Sequence, residues 1–112
     1  VGVFQPHRYS RTERLGNQFS SAFEELDLLV LTDIYGAGER PIEGVDGETL
    51  FRATRRNHRE VVYVPRLEEI SEYLLDVLRE GDVLITMGAG NVWQVGEETL
   101  DRLHGGLQTR RE

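Results

Sequence analysis

VGVFQPHRYSRTERLGNQFSSAFEELDLLVLTDI, residues 1–34, reads without a break as strand, turn, helix and strand. VGVF (1–4) and LLVLTDI (28–34) are short runs of mostly branched apolar residues with no polar alternation. Strands of that kind are buried on both faces. Between them Leu15, Phe19, Ala22, Phe23 and Leu26 recur at i, i+4, i+7, i+8 and i+11, which lines one face of a helix. Ser10 and Glu13 stand in the S-x-x-E spacing of a capping box, so the helix is expected to begin near Ser10. Strand, helix, strand in this order joins parallel neighbours by a right-handed crossover.

Downstream the same unit recurs. VVYV (61–64) and DVLITM (82–87) are two more strands. A helix starting at Asp46 uses Leu50, Phe51 and Thr54 and stops by Asn57. Another carries Leu67, Ile70, Leu74, Val77 and Leu78, with Glu68, Glu69 and Glu72 near its positive end and Gly81 closing it. A last one spans about Asn91 to Leu103 and is interrupted by Gly96. The alternation predicts an α/β fold, a Rossmann-like three-layer sandwich with a mostly parallel sheet. It forms one domain over residues 1–104, followed by a disordered tail over 105–112. The chain opens without methionine or a signal core and is read as part of a longer protein.

With 112 residues the domain is able to bury roughly two thirds of its unfolded surface. A formal charge of -7 opposes a surface that tracks nucleic acid, and no apolar run reaches the length of a membrane span. Cysteine is absent, which excludes disulfides and thiolate catalysis and is compatible with a cytoplasmic setting. All 13 basic residues are arginine. Without lysine these residues make neither a P-loop nor a Schiff base, whereas arginine forks pair two-by-two with carboxylate or phosphate. Compositional bias would produce the same pattern.

Active residues in parallel sheets gather at the carboxyl ends of strands. Those ends are QPHRYSR, DIYGAGE, Pro65 with Arg66, and GAGN. In the first, His7, Arg8 and Arg11 concentrate positive charge beside a helix N-terminus, an arrangement suited to holding a small anion. The plainer reading is a solvated loop whose arginines pair with Glu13 or Asp33. MGAGN (87–91) fails the dinucleotide fingerprint, because Trp93 stands where the third glycine belongs. Glu39 and Asp33 are acceptors for an amine or partners for arginine. Arg52, Arg55, Arg56 and Arg59 form a stripe that a helix C-terminus favours for structural reasons alone. Trp93 and Tyr73 are read as packing residues.

FQPHRYSRT, TDIYGAGERPIEG and GDVLITMGAGN together, in that order and spacing, resemble the C-terminal domain of the Mur ligase family over nearly the whole chain. The resemblance implies an ATP-dependent, Mg2+-requiring amide ligase of the bacterial cytoplasm that joins L-alanine to UDP-N-acetylmuramic acid through an acyl phosphate. It places His7, Arg8 and Arg11 in the substrate cleft. It assigns ATP and Mg2+ mainly to other domains of the same chain, a central one with a lysine-bearing ATP loop beside an N-terminal one that grips the UDP portion, with no catalytic or metal-binding residue among these 112. It also implies that the domain's first strand and helix, bearing a D-Y-G-H-H-P segment, precede VGVF, and that the 112 residues alone are inactive. Two alternatives stand beside it. One is the related murein-peptide recycling ligase, whose motif lacks the H-R-Y-S-R-T run; the other is a non-catalytic Rossmann-like nucleotide-binding or regulatory module.

Overall fold

Four short strands, β1 (Gly2–Phe4), β2 (Leu29–Leu31), β3 (Val61–Tyr63) and β4 (Ile85–Met87), alternate with four helices, α1 (Tyr9–Phe19), α2 (Gly47–Arg55), α3 (Leu67–Val77) and α4 (Trp93–Arg111). The computed structural model describes residues 1–111, with side chains through Gly105. The tail read at 105–112 falls on the last stretch of α4 and on Glu112, which lies outside the described residues.

The sheet is wholly parallel, in the order β3-β2-β1-β4. The chain therefore starts in the middle, steps outward twice, then returns to the other side of β1. Because every crossover keeps the same hand, reversing direction moves the helices to the opposite face. Side-chain alternation along the strands shows this split. Leu29, Leu31 and Val61 form a core with Phe19 of α1 and Leu50 of α2, whereas Val3 and Val30 join Ile70 and Leu74 of α3 and Val95 of α4. The sheet is thus the middle of three layers. The reversal leaves a switch point between the carboxyl ends of β1 and β4, where a crevice opens.

Local chemistry sets most helix ends. Asp46 caps α2 by accepting from the Thr49 backbone N–H at 2.7 Å and its hydroxyl at 2.8 Å. Glu48 in the first turn and Arg52 and Arg55 in the last suit the helix dipole. α1 begins at Tyr9, near Ser10 as expected, but departs in its cap and in its end. Its N-cap is Arg8, not Ser10, and no capping box forms. It stops at Phe19, where Gly16, Asn17, Ser20 and Ser21 are weak helix formers. Phe23 still packs on Phe4, at 4.9 Å between ring centroids, but from a turn. α3 ends at an extended Leu78, and Gly81 (φ +92) shapes the following turn instead of closing the helix. Gly96 does not interrupt α4.

A buried histidine ties together the entrances of two neighbouring strands. His58 Nδ1 accepts from the Glu60 backbone N–H at 3.1 Å, so its Nε2–H donates to the Leu26 carbonyl at 2.7 Å. It thereby anchors the chain entering β2 to that entering β3. His58→Ala is expected to cost about 1 kcal/mol, because two partly buried backbone groups lose their partner. Urea denaturation of the mutant and parent would measure this, and equal midpoints would show that the bridge contributes nothing.

Candidate functional site

The switch point is assembled from three loops. Beyond β1, the Gln5 N–H donates to the Met87 carbonyl at 2.9 Å, carrying the pairing with β4 one residue further. The chain then turns to β2's side: the Tyr35 N–H donates to the Pro6 carbonyl at 2.9 Å and the Arg8 N–H to the Tyr35 carbonyl at 2.7 Å. His7 and Tyr35 stack, with ring centroids 5.7 Å apart. Gln5 Nε2 donates to Asn91 Oδ1 at 3.0 Å, tying in the GAGN loop. A side chain at Gly90 would sit 2.7 Å from the Tyr35 ring and 2.8 Å from Gln5 Oε1, so only glycine admits this approach. The first loop and both glycine loops thus share one rim.

A cleft of about 290 Å³ opens on this rim, lined by Phe4, Gln5, His7, Arg11, Leu15, Phe19, Gly88 and Ala89. Its walls are apolar apart from Gln5, the imidazole and one guanidinium. Arg8 stands outside that lining, on the neighbouring turn, with its backbone at φ 68. Among the described residues neither Arg8 nor Arg11 belongs to an ion pair; the pairs are Arg52–Glu48, Arg66 with Glu68 and Glu69, and Arg102–Glu98. The expected alternative partner Asp33 is engaged elsewhere, accepting from the Tyr63 hydroxyl.

The N-terminus of α1 already has a carboxylate. Glu39, from the β2–α2 loop, accepts from the Ser10 N–H at 3.1 Å and from the Ser10 hydroxyl at 2.6 Å. These two bonds, then that from the Tyr9 N–H and last the charge of Arg8, hold its carboxyl below the usual range. The S-x-x-E reading fails in both its parts: Ser10 is not the N-cap, and its acid partner is Glu39, not Glu13. Arg52 and Arg55 of the basic stripe are engaged locally, one with Glu48 at 2.8 Å and the other over the Phe51 ring at 5.9 Å. Trp93, expected to pack, is 54% exposed.

Two features had no sequence signal. Gln5 is buried, with Oε1 lacking a hydrogen-bond partner among the described residues. Asp33 and Tyr63 meet across the sheet, and burial first, then the Asp33 carboxylate, push the Tyr63 hydroxyl well above its ordinary pKa. Partners 30 residues apart leave no local pattern. A second groove of about 260 Å³, between α1 and α2, is lined by Thr12, Gly16, Val45, Thr49 and neighbours and contains no histidine or arginine. Among the described residues no three acidic or imidazole groups stand together as a metal site, and no helix is long and apolar enough to cross a membrane.

Residues 1–90 match the family model described as Mur ligase, glutamate ligase domain. The chain is 51% identical over 104 residues to a protein of Pelotomaculum thermopropionicum named UDP-N-acetylmuramate--L-alanine ligase, covering 92% of this chain. Proteins of the same name from Geobacter sp. (strain M21) and Brachyspira hyodysenteriae are 55% and 42% identical, over 92% and 95% of the chain. The chain spans about 23% of the length of each of these relatives.

Proposed function

We propose, from the premise that the chain belongs to the Mur ligase family and carries its C-terminal, glutamate ligase domain, that it presents the amino-acid substrate in the ligation of L-alanine to UDP-N-acetylmuramic acid. The observation that carries this reading is 42–55% identity to ligases of that name over more than nine-tenths of the chain. The cleft supports it. Arg11 offers a planar fork for a carboxylate, His7 a second polar group, and Phe4, Leu15 and Phe19 an apolar wall suited to a small side chain.

In the proposed reaction the muramoyl carboxylate receives a phosphoryl group from ATP. The amine of L-alanine attacks the acyl carbon, and the tetrahedral intermediate expels phosphate. The task of this domain is positioning: holding the amino acid's carboxylate fixes its amine beside the activated carbonyl and replaces a bimolecular encounter with an oriented one. Arg8, one turn away, is assigned to an anionic portion of the same reactants. The residues present do not fit a triphosphate or Mg2+ seat, since lysine is absent and the described acidic groups are scattered. We assign ATP and Mg2+ to central and N-terminal domains of a longer chain, place that chain in the cytoplasm in peptidoglycan synthesis, and infer that residues 1–112 alone do not turn over.

A chimera tests this. These 112 residues replace the corresponding quarter of the Pelotomaculum ligase, and amide formation is followed with L-alanine, with the murein tripeptide, and with the 112 residues alone. Activity of the chimera with L-alanine only, and none from the isolated chain, is the expected result. A folded chimera that binds nucleotide without forming amide would favour the non-catalytic module, and turnover of the tripeptide would favour the recycling ligase.

A further inference from the structure

Among the described residues two that bear a side chain have left-handed backbone, Arg8 at φ 68 and Ala37 at φ 52. They lie on turns that contact each other. Such backbone is costly for any residue but glycine and persists only where its surroundings over-determine it. At Arg8 the restraints are dense. Its N–H donates to the Tyr35 carbonyl at 2.7 Å, and its carbonyl accepts from the Thr12 N–H at 3.1 Å and hydroxyl at 2.8 Å. Two residues on, Ser10 gives both its N–H and its hydroxyl to Glu39. Glu39 is delivered there by the turn containing Ala37 and Gly38, closed by its own N–H on the Gly36 carbonyl at 3.0 Å. A Cβ at Gly36 would lie 3.0 Å from the Tyr9 ring, so the two turns are in close contact.

We propose that Glu39 is a positioning residue: its carboxylate clamps the β1–α1 turn through Ser10 and so presents the Arg8 guanidinium, unpaired, to an anionic reactant. This rests on the role given to Arg8 above. Glu39 suits the task because each of its oxygens holds Ser10, and Arg8 forms no ion pair among the described residues. The acid attracts the guanidinium without occupying its donors. The first turn of α1 contains no acidic residue of its own. The acid used instead comes from a loop 29 residues away, and it couples the first rim turn to the second.

The test uses the full-length ligase carrying this domain, with KM for L-alanine and for UDP-N-acetylmuramic acid measured separately from kcat. Arg8→Ala identifies which KM depends on Arg8. Glu39→Ala is expected to raise that same KM about tenfold with kcat within about twofold, and Glu39→Gln, which keeps the contacts to Ser10, to raise it less. The double variant is expected to be no worse than Arg8→Ala alone, since the clamp then has nothing to present. Additive losses, or an unchanged KM in Glu39→Ala where Arg8→Ala raises it, would overturn the clamp and leave the function intact. An unaffected Arg8→Ala enzyme would remove Arg8 from the site and the clamp with it. Thermal melts of Glu39→Gln confirm that folding is equal in the compared proteins.

Discussion

On the proposed function, Arg11→Ala in a full-length protein carrying this domain is expected to lower kcat/KM for L-alanine by about 10- to 100-fold, the equivalent of one charge-assisted hydrogen-bonded contact of roughly 1.5–3 kcal/mol. Arg11 is exposed on the rim, lines the cleft, and makes no ion pair among the described residues. Removing it therefore leaves no partner stranded, and stability should change by less than about 0.5 kcal/mol. Arg11→Lys should fall between parent and alanine, because it keeps the charge and loses the fork. Steady-state kinetics with L-alanine as the varied substrate, beside a melt of each protein, separates the two effects. Unchanged kinetics would exclude Arg11 from the substrate site.

The largest loss of stability is expected at Gly47, the first residue of α2. An added Cβ would lie 2.8 Å from Asp33 Oδ1, 2.9 Å from the Thr32 carbonyl and 2.9 Å from the Tyr63 ring. One of these is backbone at the end of β2, and the other two are joined by the Asp33–Tyr63 hydrogen bond. None yields cheaply. Gly47→Ala should cost about 3 kcal/mol, as overpacking forces α2 off the sheet. Gly16→Ala, inside α1 with nothing within 4 Å of the added atom, serves as the control and should gain up to about 1 kcal/mol from helix propensity. Urea titration of both variants measures the contrast. A neutral Gly47→Ala would mean that α2 does not rest on that pair.

The strands, their parallel pairing and α2 and α3 were legible because each depends on signals within a dozen residues. Branched runs mark the strands, and Asp46 marks a cap. The rim was legible too, since placing four loops at the carboxyl edge follows from strand polarity alone. What misled were residues whose local partner was outcompeted. Ser10 faces Glu39 instead of Glu13, since a helix capped by Arg8 leaves Glu13 past its first turn while the β2–α2 loop brings a carboxylate to the helix end. Phe23 and Leu26 keep a helical spacing in the sequence yet pack from outside the helix, because burial against Phe4 and β2 does not require helical backbone.

By itself the sequence determined the class of fold, the sense of every crossover and the cluster of guanidinium groups at the first strand's mouth, all properties of residue order and local periodicity. Only the tertiary structure decided that β4 returns beside β1, that Arg11 lines the cleft while Arg8 stands on the adjoining turn, and that Gln5, Asp33 and Glu39 find Asn91, Tyr63 and Ser10. Those pairings join residues 29 to 86 positions apart. Their geometry exists only once the sheet has closed, and no spacing along the chain encodes it.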